Sequence, residues 1–230
     1  MIAVLVAAGS SRRMGFDKLV ADLGGAPVAA VSLRAFEKTP SVRSIILVTQ
    51  ADRIAEFEAI GKAHSISKLT AVVAGGGERH LSVWNGLLAA EARGETQGYL
   101  AVHDAARPLV TPAAIEACLA VARQHGAGVC ASPVADTLKR AAHDLFVTGD
   151  VDREHLWAMQ TPQVFLSSVL IGAYRSLIKT GEKVTDEVSA VQRLGVSVAL
   201  APNAEPNFKI TLPADLELAR LVLKARENAL

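Results

Sequence analysis

The feature that most constrains the fold is the alternation of short apolar runs with helical patterns. The apolar runs are rich in β-branched residues, and they are Ile2–Val6, Ser44–Thr49, Leu69–Ala74, 99–103 and 128–132. Runs of this length that do not alternate in polarity are typical of strands covered on both faces. Helical patterns separate them, over about 27–38, 52–64, 79–93 and 112–125. This order predicts an α/β fold with a mostly parallel sheet, right-handed crossovers and helices on both faces.

The pattern changes between about 133 and 160. Two extended segments, 133–140 and 145–151, flank a predicted turn near 142–144. The region is too long for an ordinary connection and too polar for core strands. A two-stranded hairpin is only marginally stable alone, so we expect a projecting β-hairpin arm over 133–160 that packs against a second copy of the chain.

The remainder of the chain predicts a return to the main domain. Helices are expected at about 167–179 and 186–194, strands at 196–200 and 207–210, and a last helix from Pro213. No repeat or linker divides the sequence. We therefore expect one domain over residues 1–230, with the arm inserted in it.

Composition limits the function classes. The net charge of +1 argues against a general nucleic-acid binder, which usually has a strong basic excess. No segment approaches the roughly 18 continuous apolar residues of a membrane span, and no signal-peptide pattern opens the chain, so we expect a cytoplasmic protein without a membrane partner. Cys118 and Cys130 lie in apolar runs outside any metal-binding spacing, which predicts buried free thiols.

The loop after the first strand combines small residues with cations. Positions 7–11 read AAGSS, and Arg12, Arg13 and Lys18 follow within seven positions. Small side chains let backbone N–H groups approach phosphate oxygens, and a triphosphate with about four negative charges requires such a cation cluster. The loop matches neither a P-loop nor a dinucleotide fingerprint. A solvated basic turn remains the alternative.

Two further loops follow strands of the same predicted sheet edge. The glycines at 75–77 permit positive φ angles and close approach to a flat base, with a flexible turn as the alternative. Asp104 follows a buried strand, where a carboxylate is suited to hold Mg²⁺ beside phosphates. Arg107 lies three residues further and suits a second anion. An internal Asp104–Arg107 ion pair is the alternative.

Polar residues near the C-terminus carry weaker signals. Thr185 is a favourable N-cap, and Asp186 and Glu187 after it suit a first helical turn. Lys209 lies between two apolar residues of a predicted strand. Such a lysine points either to solvent or to a charged site, and the latter is favoured because the other cations need an anion to surround.

The stretches that carry these features resemble, in the same order, the 2-C-methyl-D-erythritol 4-phosphate cytidylyltransferase family. They read AAGSSRRM, GGGERHLSV, VHDAARP, PVADTLKR, VDREHLWAMQTPQVF, TDEVSA and NFKITLPADL. They cover nearly the whole chain, and VHDAARP and the QTPQ run are the most specific. The resemblance implies a Rossmann-like fold of the nucleotidyltransferase type. It also implies transfer of CMP from CTP to methylerythritol phosphate, with pyrophosphate as the second product, in isoprenoid precursor synthesis.

The resemblance also implies roles for individual positions. Arg13 and Lys18 would stabilise the pentacoordinate phosphorus, with Lys209 completing the catalytic cations. The residues expected to bind the nucleotide are Ala7, Ala8, Gly9, Ser11, Gly76, Gly77, Ser82 and Asp104, of which Asp104 would also hold Mg²⁺ or another divalent cation. The residues expected to bind the sugar-alcohol phosphate are Arg107, Thr137, Arg153, Thr161, Thr185 and Lys209. In this family the arm crosses to a second subunit, so a homodimer is expected in which Thr137, Arg153 and Thr161 serve the neighbouring site.

The chain departs from the family at four points of these loops. Many members have a glycine at Ser11, and the stretch from Met14 to Lys18 is shorter than in some relatives. The other two are substitutions. Asp17 stands where many members have a proline before the lysine, and Gly77 stands where many have an acidic residue. None of these differences removes a cation, so the expected chemistry is retained. Any base contact from Gly77 would have to use its backbone.

Other functions remain open from the sequence. A ribitol-5-phosphate cytidylyltransferase shares the fold and much of the motif set, and the arm residues Arg153 and Thr161 favour methylerythritol. An enzyme that uses UTP or GTP with a hexose phosphate is disfavoured by VHDAARP. A nucleotide-sensing module with a degenerate site is disfavoured by the complete set of Arg13, Lys18, Asp104 and Lys209.

Overall fold

The computed structural model describes residues 1–9 and 14–228. The strands are β1 (Ile2–Val6), β2 (Ser44–Thr49), β3 (Leu69–Ala74), β4 (Tyr99–Asp104), β5 (Ala127–Pro133), β6 (Leu138–Ala141), β7 (Val147–Val151), β8 (Trp157–Leu166) and β9 (Ala199–Pro202). The helices are α1 (Val28–Glu37), α2 (Ile54–Ala63), α3 (Arg79–Ala92), α4 (Pro112–His125), α5 (Ser167–Thr180), α6 (Glu187–Gln192) and α7 (Pro213–Glu227). A 3₁₀ turn at Ala51–Arg53 leads into α2.

Seven strands form one sheet in the order β3-β2-β1-β4-β8-β5-β9. β1 pairs in parallel with β2 and β4, and β5 pairs in parallel with β9. β8 runs antiparallel between β4 and β5. The register sets Val6 opposite both Val48 and Asp104, so the strands β1, β2 and β4 end at one level. Their loops therefore open on a common edge, where ligands of such sheets bind.

Both faces of the sheet are covered, which explains the continuous apolar strands. Along β1, Ala3 and Leu5 pack in one core cluster, with residues of α1, α2, α4 and α7. Ile2 and Val4 pack in the other cluster, with residues of α3, α5 and α6. Since successive strand side chains point to opposite faces, every position of such a strand has to be apolar. The predicted α/β fold with helices on both faces is confirmed.

Local signals set the ends of α4. The Thr111 hydroxyl oxygen accepts a hydrogen bond from Ala114 N at 3.2 Å, and Pro112 occupies the first helical position. Gly126 follows the helix with φ 84°, a left-handed conformation that glycine adopts without strain. The observed helix therefore has the bounds predicted from the sequence, 112–125.

The structure corrects the prediction after the fifth strand. Residues 157–160 were assigned to the arm, but they begin β8, a ten-residue strand of the large sheet. An antiparallel central strand interrupts the regular strand–helix alternation, so the alternation could not reveal it. The strand predicted at 207–210 is also wrong, because Ile210 N donates to Ala106 O (2.8 Å) without extending into a ladder within the described residues.

The arm region forms a small sheet of its own. β6 and β7 pair antiparallel, Leu138 with Val151 and Ala141 with Val147. Most side chains between 135 and 155 are exposed, including the apolar Leu145 and Phe146 at the turn. This hairpin lies where the projecting arm is predicted.

Cys118 and Cys130 are both buried free thiols, as predicted. Within residues 1–9 and 14–228, no helix has the length and apolar character needed to cross a bilayer.

Candidate active site

A cleft of about 600 Å³ opens at the shared end of β1, β3 and β4. The predicted site residues that line it are Ala7, Ala8, Gly9, Lys18, Gly76, Gly77, Ser82, Asp104 and Lys209. Arg79 also lines it, although the sequence assigned no role to that residue. Ser11 and Arg13 lie outside the described residues. The cleft therefore unites four chain segments that are up to about 200 residues apart in the sequence.

The first loop is anchored on both sides of residues 10–13. Ala7 N donates to Val48 O at 2.7 Å, which continues the strand pairing past β1. Met14, on the C-terminal side of these residues, is buried in the core. Asp17, at a position where a proline is common in the family, forms an ion pair with Arg53 and accepts from Leu19 N at 2.9 Å. Asp17 therefore ties the backbone around Lys18 to the start of α2.

Lys18 lies on the side of the cleft formed by residues 209–211. Its Nζ donates to Ile210 O at 2.7 Å. The same segment carries Lys209, and it is held on the turn after β4 by the bond from Ile210 N to Ala106 O. Asp215 fixes its far end, because one carboxylate oxygen accepts from Thr211 N at 2.7 Å and Leu212 N at 2.8 Å. A segment without regular secondary structure thus connects the two lysines, because it carries Lys209 and accepts the hydrogen bond from Lys18.

The glycine loop is shaped by close packing rather than by positive φ angles. None of Gly75, Gly76 and Gly77 has a positive φ, so the loop does not use the left-handed conformation that glycine permits. A Cβ atom on Gly76 would lie 2.4 Å from Leu81 Cβ, which leaves no room for a side chain. Gly76 N donates to the Ser82 hydroxyl oxygen at 3.1 Å, joining the loop to the first turn of α3. Close backbone approach is therefore what this glycine provides.

Asp104 is the electrostatic centre of the cleft. Arg79 Nε donates to Asp104 Oδ1 at 3.0 Å, and Lys209 Nζ donates to Asp104 Oδ2 at 2.7 Å. Burial alone would raise the pKa of the Asp104 carboxyl, but Arg79 and Lys209 outweigh it and hold that pKa well below its usual range. The carboxylate is therefore ionised throughout the physiological pH range.

Asp104 retains capacity to bind a further cation. Each of its oxygens accepts from one neighbouring side chain, whereas a carboxylate offers about four acceptor positions. Within the described part of the chain, no group of three or more His, Cys, Asp or Glu side chains is placed to hold a metal ion. A divalent cation here would have one carboxylate from the protein and would need its other ligands from a bound substrate and water.

Behind Asp104 the structure corrects the role expected for Thr161. This residue is only 4% exposed and lies on β8 inside its own subunit. Its hydroxyl oxygen accepts from Asp104 N at 3.1 Å and lies 2.9 Å from His103 Nδ1. Buried and bonded in this way, Thr161 is not available to a ligand in a neighbouring subunit, and it instead holds the end of β4.

His103 completes this buried chain of hydrogen bonds. Its Nε2 lies 3.2 Å from Arg107 O, which can only accept, so Nε2 carries the proton. Nδ1 then accepts from the Thr161 hydroxyl. Burial lowers the pKa of His103 to about 3, so the ring is neutral. This neutral ring links Thr161 to the carbonyl of Arg107 and so fixes the turn that carries Asp104.

Arg107 is directed away from Asp104. Its Nη1 donates to Asn207 O at 2.8 Å, and its Nε is buried without a hydrogen-bond partner among the described residues. Burial lowers the pKa of Arg107. The Asp104–Arg107 ion pair considered from the sequence is therefore replaced by the Asp104 pairs with Arg79 and Lys209.

The other residues expected to bind the sugar-alcohol phosphate do not line the cleft. Thr137 and Arg153 are exposed in the arm region, where Arg153 contacts Ala135 O. Thr185 is exposed, and the N-cap of α6 is Asp186, whose carboxylate accepts from Ser189 N at 3.0 Å. Asp is favoured over Thr as an N-cap residue, and the helix accordingly starts one residue later than predicted.

The functional pair that the sequence analysis missed is Arg79 with Glu187. Arg79 donates to Glu187 Oε1 at 2.7 Å and Oε2 at 3.2 Å, and Glu187 is completely buried. Glu187 reads as an ordinary acidic residue of a first helical turn. The partners are 108 positions apart, so no local pattern links them.

Comparisons with known proteins identify the family of this chain. The family model described as 2-C-methyl-D-erythritol 4-phosphate cytidylyltransferase (IspD) matches residues 1–225. A protein of that name from Pelotomaculum thermopropionicum is 40% identical, covering 99% of this chain and 96% of its own. Another from Symbiobacterium thermophilum is 41% identical, covering 96% of this chain and 92% of its own.

Solved structures show the same fold. A crystal structure described as 4-diphosphocytidyl-2C-methyl-D-erythritol synthase is 31% identical with a TM-score of 0.83, covering 96% of this chain and 97% of that one. The 2-C-methyl-D-erythritol 4-phosphate cytidylyltransferase from Thermus thermophilus is 30% identical with a TM-score of 0.77, covering 96% and 98%. This chain belongs to the 2-C-methyl-D-erythritol 4-phosphate cytidylyltransferase family and is a nucleotidyltransferase of the cytidylyltransferase type.

Proposed function

We propose that this enzyme transfers CMP from CTP to 2-C-methyl-D-erythritol 4-phosphate, with release of pyrophosphate. An oxygen of the substrate phosphate forms a bond to the α-phosphorus of CTP. The bond from that phosphorus to the bridging oxygen of the β-phosphate breaks, and pyrophosphate leaves with the electron pair. The substrate phosphate is the nucleophile, so the protein has to position two polyanions and neutralise the charge that builds around phosphorus.

The convergence of Lys18 and Lys209 on one cleft is the observation that carries this proposal. The two residues come from opposite ends of the sequence. Lys18 donates a hydrogen bond to Ile210 O, and Lys209 donates one to Asp104. Cations fixed before the substrate arrives need no reorganisation during the reaction, which makes them effective at stabilising a charged transition state. We infer that Lys18 contacts the reacting phosphate, and by family resemblance that Arg13 does so with it.

The nucleotide is proposed to lie across the first loop and the glycine loop. Ala7, Ala8 and Gly9 offer small side chains, so phosphate oxygens can reach the backbone. Gly76 and Ser82 lie on the other side of the same cleft, suited to the base and ribose. A role for Ser11 and for the backbone of Gly77 is proposed from the family resemblance.

Mg²⁺ is proposed as the metal cofactor, held by Asp104 together with CTP phosphates. Mg²⁺ sites of this kind usually have one or two carboxylates plus substrate phosphates and several waters. The ionised Asp104 carboxylate, with acceptor positions left, fits that donor set. When bound, the ion neutralises charge on the phosphates. The protein alone is expected to bind Mg²⁺ weakly, because it offers a single carboxylate.

The arm is proposed to complete the site of a second subunit. Thr137 and Arg153 lie exposed near the base of the hairpin, and both suit a phosphorylated polyol. Arg107, Lys209 and Thr185 are proposed for the same substrate from within the subunit. Thr161 does not belong to this set, because its hydroxyl is buried and accepts a hydrogen bond from Asp104 N. The homodimer and the cytoplasmic location stay predictions.

Pyrophosphate release tests the proposal directly. The purified protein would be incubated with Mg²⁺, each of the four nucleoside triphosphates, and either methylerythritol phosphate or ribitol 5-phosphate. We expect release only with CTP and methylerythritol phosphate, and its loss when EDTA removes the metal. Equal release with ribitol 5-phosphate would contradict the proposed substrate, and equal release with UTP would contradict the proposed nucleotide.

A further inference from the structure

Glu187 is a charged side chain in a place where charge is costly. It is completely buried at the first position of α6, which packs on the sheet face opposite to α1 and α4. An ionised carboxylate without partners would not be stable there. Glu187 has three hydrogen bonds: two from Arg79, at 2.7 and 3.2 Å, and one from the Tyr174 hydroxyl at 3.0 Å. Both oxygens of the carboxylate are therefore hydrogen-bonded, which fixes its orientation.

Arg79 connects this buried carboxylate to the cleft. Its Nη1 and Nη2 face Glu187, while its Nε donates to Asp104 Oδ1 at 3.0 Å. Burial would lower the pKa of Arg79, but Glu187 and Asp104 raise it above its usual range, so the guanidinium stays charged. A planar guanidinium held on two edges cannot rotate without breaking bonds on both.

The chain of ion pairs ends at Lys209. Asp104 Oδ1 faces Arg79, which leaves Oδ2 to accept from Lys209 Nζ at 2.7 Å. The four groups carry two positive and two negative charges in sum. Without Glu187, Arg79 would have Asp104 as its remaining counter-ion and would compete with Lys209 for the Asp104 oxygens.

We propose that Glu187 is a positioning residue for the cytidylyl transfer proposed above: it holds Arg79, which orients Asp104 and through it Lys209. Glu187 touches neither the cleft nor a substrate, and it acts only through Arg79. The same contact fixes the start of α6, two residues after Thr185.

A second ion pair between the same two segments provides a matched control. Lys183, which lies four residues before Glu187, forms an ion pair with Glu78, which lies one residue before Arg79. The Lys183–Glu78 pair is exposed, and exposed pairs contribute little. Lys183→Ala should therefore change neither kcat nor KM by more than about twofold. Lys183→Ala thus controls for the loss of a charge between these two segments that contacts neither Arg79 nor Asp104.

The test is a steady-state comparison of Glu187→Gln, Glu187→Asp, Tyr174→Phe and Lys183→Ala. Glu187→Gln keeps the volume and removes the charge, and we expect kcat to fall on the order of 10- to 100-fold, as for displacements of about 1 Å in an active site. KM for CTP should change less than about threefold, because a loss confined to the transition state appears in kcat. Glu187→Asp keeps the charge and should recover part of kcat. Tyr174→Phe removes one of the three hydrogen bonds to Glu187 and leaves both bonds from Arg79, so its fall in kcat should be smaller than that of Glu187→Gln.

A double-mutant cycle with Arg79→Gln decides the mechanism. If Glu187 acts through Arg79, adding Glu187→Gln to Arg79→Gln should leave kcat unchanged within about twofold. An equal fall in both backgrounds would overturn the proposal. So would a lowered melting temperature with unchanged kcat in folded Glu187→Gln. Should Glu187→Gln fail to fold, Glu187→Asp and the double variant, in which both buried charges are removed, supply the same comparison.

Failure of the proposed function would be recognised separately. It would appear as absent pyrophosphate release in the wild-type enzyme, before any variant is compared. A wild type that is active with another substrate still allows the cycle to be measured with that substrate, so the role of Glu187 is judged on its own.

Discussion

The cleft and the arm are both rich in polar residues, yet they are built in opposite ways. In the cleft, Asp104 forms ion pairs with Arg79 and Lys209, and Arg79 also pairs with Glu187, which lies behind the cleft without exposed surface. In the arm, most side chains face solvent, and the apolar Leu145 and Phe146 are 85% and 73% exposed. The cleft is therefore organised within one chain, whereas the arm leaves apolar surface uncovered.

This contrast separates two kinds of functional residue. Side chains of the cleft are preorganised, and their effect should appear in the rate of the chemical step. Side chains of the arm lie on a hairpin that is only marginally stable by itself, and neighbouring exposed apolar residues commonly mark an interaction surface. We therefore expect changes in the arm to act on association and on binding of the sugar-alcohol phosphate.

Lys18→Ala should give the largest fall in turnover and would test whether the cleft residues act on the chemical step. Removing one preorganised charge donor typically lowers turnover on the order of 10²–10³-fold, with a smaller change in CTP binding. Steady-state kinetics and calorimetric titration with CTP would measure the two quantities. Lys224→Ala on the exposed side of α7 is the control, and we expect no change from it. Near-normal turnover in Lys18→Ala would contradict the assignment.

Phe146→Asp would test whether the arm is an association surface. A central apolar anchor of an interface typically contributes about 2 kcal/mol or more, so the proposed dimer should dissociate roughly 30-fold more readily. Sedimentation over a range of concentrations would measure this. Leu221→Asp is the matched control, because Leu221 is 65% exposed on α7, outside the arm. If both variants weaken association equally, or if the wild type is a monomer, the arm is not the interface.

Arg153→Ala would separate the two substrates. The loss of one charge-assisted hydrogen bond should raise KM for the sugar-alcohol phosphate about tenfold and leave KM for CTP nearly unchanged. Arg140→Ala, another exposed arginine of the hairpin, controls for the general charge of the arm. A similar rise in both KM values would argue against a substrate-phosphate role for Arg153.

The smallest predicted effect concerns pH and stability. His103 has a folded-state pKa of about 3, below the ordinary value of 6.5, so the unfolded chain binds its proton first as the pH falls. The contribution of His103 is therefore present above about pH 6.5 and is lost between about 6.5 and 3. Between about pH 7.5 and 5.5 the free energy of unfolding should fall by about 1 kcal/mol from this group.

Urea unfolding followed by tryptophan fluorescence at the two pH values would measure this change. His103→Gln lacks the titrating ring, so its free energy of unfolding should depend less on pH, even though the variant is less stable overall. The lowered pKa of Asp104 acts in a separate window, since that contribution is lost only below the ordinary Asp value of 3.8. An equal pH dependence in the wild type and His103→Gln would disprove the role of the buried ring.

Local patterns were sufficient for most of the fold. The strands β1 to β5 and the helices α1 to α5 lie within two residues of their predicted bounds, because apolar period and capping residues act over a few positions. β8 was missed because its first residues follow the hairpin directly and were therefore attributed to the arm. Its place between β4 and β5 depends on pairing with strands that are distant in sequence.

The residues of the candidate site also fall into two groups, those that local motifs revealed and those whose role depends on contacts distant in the sequence. Lys18, Asp104, Lys209 and the glycine loop were identified because each stands in a local motif at the end of a strand or beside a cation. Thr161 was misplaced because nothing local shows that its hydroxyl is bonded to the backbone of Asp104. Glu187 was overlooked because its partner, Arg79, lies at the start of another helix.

The sequence by itself determined the alternation of strands and helices, the loops that meet at one sheet edge, and the cations that suit a triphosphate. These properties depend on side-chain type and short spacing. Only the tertiary structure decided which charges face one another: Arg79 between Glu187 and Asp104, Lys209 on the free oxygen, and Arg107 turned to Asn207. The physical reason is that a buried charge is stable only beside a partner, and the choice of partner is made when distant segments pack together.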